Sequence, residues 1–100
     1  MIIIKTMDQK LNEFFERLKG ELEKSSTWPS EYLFKFIVPT SDEKTLAVQD
    51  IFNDMGAVIN TKKSKNENYT SVSVNVQMES ADAVIEKYKL AAAIEGIISL

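Results

Sequence analysis

From Tyr69 to Glu79 the chain alternates strictly: Val72, Val74, Val76 and Met78 take every second position, and Ser71, Ser73, Asn75 and Gln77 fill the gaps. Successive side chains of a β-strand point to opposite faces, so this segment is a strand with one buried and one polar face. Such a strand needs cover on one side only, and neighbouring strands and helices of the same chain must supply it. That single demand calls for a sheet covered on one face.

The remaining segments fit that demand. Tyr32 to Val38 is aromatic and β-branched with only Lys35 interrupting, which reads as a buried central strand stopped by Pro39. Thr40 followed three residues later by Glu43 makes a capping box for a helix from Ser41 to about Asp54. Ala47, Val48, Ile51, Phe52 and Met55 form its apolar face, and Gly56 is its stop. Ala57 to about Lys63 is a second strand, and Lys65-Asn66-Glu67-Asn68 the tight turn after it. Ser80 caps a last helix with Asp82 in its first turn; Val84, Ile85, Tyr88 and Ala92 give the apolar face. Gly96 ends it, and Ile97 to Leu100 make a short closing strand.

Strand, helix, strand, strand, helix, strand is the split β-α-β order of ferredoxin-like folds. The expected class is therefore α+β: a βαββαβ sandwich, with a four-stranded antiparallel sheet and two helices on one face. Right-handed crossovers place its first and third strands in the centre. Ahead of this core, Leu11, Phe14, Phe15, Leu18 and Leu22 recur at spacings of three and four, the stripe of an amphipathic helix from Asp8 to about Lys24. Asp8 is a plausible N-cap, and Glu13 precedes Arg17 by four in the favourable order. The expected organisation is a leader and helix over residues 1–27 and a ferredoxin-like domain over 28–100. Five large apolar residues, each worth ~1.5–3 kcal/mol on burial, must find cover. They fold back within the chain, over the open sheet face or a flank, or pack on a second copy; the polar sheet face is a poor match, so a homodimer is the favoured expectation.

Composition removes whole classes of chemistry. The 100 residues include no cysteine and no histidine, so zinc–thiolate sites, iron–sulfur clusters, disulfides, thiol nucleophiles and imidazole bases have no residues to act through. Net charge is −3 and Arg17 is the only arginine, which argues against nucleic acid as a partner. Neither Ile2 to Ile4 nor the longest apolar run, Leu90 to Ile94, approaches a membrane span or an export signal, so no membrane partner and a cytoplasmic location are expected. Asn68-Tyr69-Thr70 is then a chance sequon, and Met7-Asp8 is a candidate natural start with Met1 to Thr6 a leader.

Three segments together resemble the YbeD-like family of small bacterial proteins of unknown function. Trp28-Pro29-Ser30-Glu31-Tyr32, continuing through Phe34-Lys35-Phe36-Ile37, is similar to the family's aromatic-Pro entry and first strand. Tyr69-Thr70-Ser71-Val72-Ser73-Val74, preceded by Lys63-Ser64-Lys65, resembles its hairpin, and Ala93-Ile94-Glu95-Gly96-Ile97-Ile98 its C-terminal junction. The resemblance covers Trp28 to Leu100. It implies a fold like that of the ACT domain, a small-molecule-sensing module, and some members carry the name lipoic acid-binding regulatory protein. Val38-Pro39 stands where the family usually has a glycine, the turn at which ACT domains often bind their amino acid, which counts against a ligand there. The N-terminal helix is an addition to the family core.

Two clusters are candidates for function. Lys62, Lys63 and Lys65 form the only basic cluster; they grip an anionic ligand or a phosphate backbone, or they guard an exposed edge strand against pairing, the favoured reading. Lys35, opposite in phase to Phe34 and Phe36, lies on the open face near Ser71, Ser73 and Asn75, with Tyr69 at the strand's start. That face is a hydrogen-bonding platform for an anionic ligand or a partner, or simply a solvated surface covered by the lysine stem. It lacks the aromatic rings on which RNA-binding domains of this class stack bases. Asp42-Glu43 and Glu21/Glu23 are helix-surface carboxylates, and no nucleophile signature or glycine-rich phosphate loop is present, so no enzyme activity and no cofactor are expected. Two readings remain open: a regulatory module sensing a small metabolite, and an adaptor docking a protein through the open sheet face or the N-terminal helix.

Overall fold

The computed structural model describes residues 2–100, with side chains from Lys10 onward. Its elements are α1 (Ile2–Ser25), β1 (Ser30–Pro39), α2 (Asp42–Ile51), β2 (Val58–Lys63), β3 (Tyr69–Met78), α3 (Ala81–Ala92) and β4 (Ile98–Ser99). The four strands form one antiparallel sheet in the order β2-β3-β1-β4, which places the first and third strands in the centre. This is the ferredoxin-like α+β architecture with an N-terminal helix added.

The β1–β3 ladder runs unbroken from the Ser30–Met78 pair to the Pro39–Tyr69 pair. It sets Phe34 opposite Val74 and Phe36 opposite Val72, all four fully buried. Phe52 and Tyr88 close over them, with ring centroids 4.9 and 5.1 Å from that of Phe34. Val48, Val84 and Ile85 complete the layer under α2 and α3. Strand β1 is not buried throughout, however: its odd positions lie on the other face, where Leu33 is 60% exposed. An almost continuous apolar run concealed a two-faced strand.

Helix ends differ from expectation where side chains have a second use. Ser41, not Thr40, caps α2, accepting the Lys44 N–H. Thr40 instead hydrogen-bonds Thr70 through their hydroxyls at 3.0 Å, satisfying the one buried polar residue among those described. Helix α2 stops at Ile51 rather than Asp54, because Phe52 turns into the core and the Lys87 Nζ donates to the Ile51 carbonyl at 3.0 Å. Ser80 caps α3 as expected, accepting from the Ala83 N–H at 3.1 Å.

Helix α1 begins at Ile2, so Asp8 lies inside it and is not its cap; Met1 lies outside the described residues. Phe15 and Leu22 are buried against the core, with the Phe15 ring 6.5 Å from that of Tyr88, so α1 folds back on the flank formed by α3. The Lys19–Asp82 contact at 2.9 Å joins the two helices and is the only ion pair among the described residues; Glu13 and Arg17 do not pair. The helix closes on the Leu22 carbonyl, which accepts from the Ser26 N–H and the Trp28 indole N–H. The Trp28–Pro29 bond is cis.

At Gly96 the backbone has φ +80, and a Cβ there would lie 2.9 Å from the Pro39 ring. Gly56 shares the left-handed conformation, φ +68, but has open space around it. Both alanine variants meet the left-handed penalty of roughly 1–2 kcal/mol. Only G96A must also displace Pro39 at the end of the central ladder. Urea unfolding should therefore show G96A losing more stability than G56A; equal losses would contradict the packing at Pro39.

Candidate functional site

The sheet face opposite the helices is ordered into rows by the two ladders. Val58, Asn75 and Leu33 form the first, and Asn60, Ser73 and Lys35 the second. Lys62, Ser71, Ile37 and Ile98 form the third, and Tyr69 and Pro39 the fourth. All five residues singled out from the sequence, Lys35, Tyr69, Ser71, Ser73 and Asn75, thus share this face. Lys35 and Ser73 are direct cross-strand neighbours, a separation at which side chains interact. Ser71 differs from the others in having its hydroxyl engaged, donating to the Lys62 carbonyl at 3.3 Å.

Sequence reasoning missed the apolar members of this face. Leu33 and Val58 are 60% and 62% exposed and flank Asn75 in one row. Leu33 was legible in principle, since it lies two residues from Lys35 and so shares its face. Val58 needed the register of β2, which a short, mixed strand does not announce.

The lysine cluster meets this face at one corner. Strand β2 is the sheet edge, as the edge-protection reading requires, and Lys62 and Lys63 are its last two residues. A shallow basin of about 500 Å³ opens there, lined by Lys62, Lys63, Lys65, Ile37, Tyr69 and Ser71. The hairpin beneath is tightly bonded. The Ser64 N–H donates to the Tyr69 carbonyl at 2.7 Å, the Ser64 Oγ accepts from the Tyr69 N–H, and Asn66 Oδ1 accepts from both the Ser64 hydroxyl and the Asn68 N–H.

A second concavity, about 520 Å³, lies between α1 and the C-terminal end of the chain and is chiefly apolar. Leu11 and Phe14, 42% and 53% exposed, stand at its α1 side, with Ile94, Ile97 and Leu100 across from them. Its inner wall carries the Tyr32 and Tyr88 hydroxyls, hydrogen-bonded to each other at 2.9 Å. Burial pushes the Tyr88 hydroxyl far above its ordinary range, and the bond to Tyr32 adds to that shift. Where α1 meets α3, the Lys19 ammonium is held above its usual value by the hydrogen bond and charge of Asp82. No described helix is long and apolar enough to cross a membrane.

The raised Tyr88 value fixes a direction of pH dependence. An unfolded tyrosine ionises near pH 10, whereas Tyr88 in the fold stays protonated well above that. Its contribution to stability is complete below about pH 10 and is lost as the pH rises further, where the unfolded chain binds fewer protons than the native one. Urea midpoints should fall on the alkaline side for the wild type and fall less steeply for Y88F. Identical alkaline slopes would remove Tyr88 as the cause.

A family model described as "Protein of unknown function (DUF493)" matches residues 23–99, from the last turn of α1 through β4. No curated protein and no solved structure matches the chain.

Proposed function

We propose a role for this chain, which belongs to the DUF493 family of proteins of unknown function, from the sheet face that its helices leave open. It is a non-enzymatic regulatory module that senses a small metabolite on that face, in the manner of an ACT-like domain. The YbeD-like resemblance is consistent with the family and supports the same reading. One observation carries it: the register gathers Lys35, Tyr69, Ser71, Ser73 and Asn75 on a single face with no helix over it. Antiparallel sheets with one bare face present such groups to solvent on a rigid support.

A second reading, a protein-docking adaptor, is favoured by the exposed Leu33–Val58 row, since interface centres are more apolar than the surrounding surface. Thermal unfolding across a collection of small metabolites separates the two. A ligand at a hundred times its dissociation constant adds ~2.7 kcal/mol, which moves the midpoint of a domain this size by more than ~10 °C. Such a shift supports sensing. No shift across the collection, with a protein partner lost on L33D, supports the adaptor instead.

Self-association belongs to the same proposal. With Phe15 and Leu22 buried within the chain, Leu11 and Phe14 are what α1 offers a second copy. A two-fold pairing would set each Phe14 against the apolar groove of the other subunit, the self-complementary arrangement that such symmetry requires. Sedimentation should show a dimer that L11S/F14S dissolves; a wild-type monomer at every concentration, or a dimer that persists in the variant, would refute it.

A further inference from the structure

The sensing reading, on which this step rests, leaves the ligand's chemistry open, and the basin at the β2–β3 corner narrows it. Lys62, Lys63 and Lys65 line that basin, and none is paired with a carboxylate among the described residues, where Lys19–Asp82 is the only ion pair. In a chain of net charge −3, Lys62 on the open face and Lys65 in the turn, with Lys63 beside them in the opposite phase of β2, form a local reversal of sign at this corner. Edge protection accounts for the charges of Lys62 and Lys63 on the strand. It does not account for Lys65, which lies beyond β2 in the turn, or for the concavity. Nor does Glu67, the hairpin's own carboxylate, line the basin.

We propose that the basin binds a small organic anion, a phosphate- or carboxylate-bearing metabolite with an aromatic or apolar body. The Lys62 and Lys65 ammonium groups hold the anion, and Tyr69, 48% exposed, and the half-buried Ile37 hold the body. At about 500 Å³ the basin falls within the range of small-molecule sites. The serine hydroxyls contribute little: Ser71 donates to the Lys62 carbonyl, and Ser64 is committed to Asn66 and the Tyr69 N–H. Recognition therefore rests on lysines, which act as point charges without the fork geometry of arginine. Selectivity follows charge more than shape, so a dianion binds more tightly than a monoanion. Three lysines are too few for a polyanion, since substantial nucleic-acid affinity draws on many phosphate contacts.

The test is an amide chemical-shift titration of the full chain with phenyl phosphate, benzoate, inorganic phosphate, neutral benzyl alcohol and a short oligonucleotide. Phenyl phosphate should move the amides of residues 62–65, 69–71 and Ile37 saturably, and more tightly than benzoate or inorganic phosphate. Benzyl alcohol should move none of them, and added salt should weaken both aromatic anions. K62Q/K65Q, whose remaining spectrum reports an intact fold, should lose at least about tenfold in affinity, equivalent to 1.4 kcal/mol. Absence of saturation, equal affinity in K62Q/K65Q, or a response to a short oligonucleotide but not to phenyl phosphate would overturn the proposal. Shifts confined to the Lys35–Ser73 row would overturn this site while leaving metabolite sensing in place; the sensing reading itself stands or falls with the metabolite collection.

Discussion

The pairing of β1 with β3 is the interaction on which the rest depends. Its register sets four helix-facing residues of β1, Tyr32, Phe34, Phe36 and Val38, against Val76, Val74, Val72 and Thr70. A slip by one residue would turn every one of those side chains to the solvent face. The same register decides what the solvent face contains, because Leu33, Lys35 and Ile37 are the intervening residues. Core and candidate site are therefore two outcomes of one alignment, and neither could be changed by a shift without the other.

Tyr88 extends that core outward. It meets Phe34 and Phe36 on the sheet side, Tyr32 through its hydroxyl, and Phe15 of α1 beyond. A tyrosine suits this position because its ring is apolar while its hydroxyl needs one partner, which Tyr32 supplies. Helix α1 is thus tied to the sheet through a continuous series of rings, with the Lys19–Asp82 pair at the rim contributing little because it is exposed. Phe14 touches that series only at its outer end, its ring 5.7 Å from that of Phe15, and with Leu11 it stays largely exposed.

The elements legible in the sequence were those with one strong local cause. Strict alternation marked β3, and a serine with an acid two residues on marked the start of α3. Boundaries failed where two local causes competed. Thr40 and Ser41 both precede α2, and the choice went to Ser41 because Thr40 is needed by the buried Thr70 thirty residues away. Asp8, a residue suited to capping, marks a start for α1 in the sequence, but a helix continues until something stops it, and residues 2–10 contain no proline or glycine. The site was half legible for a similar reason. Lys35 set the phase of the open face, so its polar partners followed, whereas Leu33 looked like core because composition does not state which face a residue takes.

The lysine corner shows how one set of charges can serve two ends. Protecting a sheet edge requires only that charges sit on the edge strand, and β2 places Lys62 and Lys63 there. That requirement says nothing about which end of the strand they occupy or what surrounds them. Here they stand at the hairpin end, and the Ser64–Asn66–Tyr69 hydrogen bonds hold the turn so that Lys65 joins them. The two central strands then add Tyr69, Ser71 and Ile37 from the exposed side of a ladder already stabilised by its buried side. Lys62, Ser71, Tyr69 and Ile37 reach this corner from ladder positions whose alternate neighbours carry the packing, so the corner draws nothing from the core.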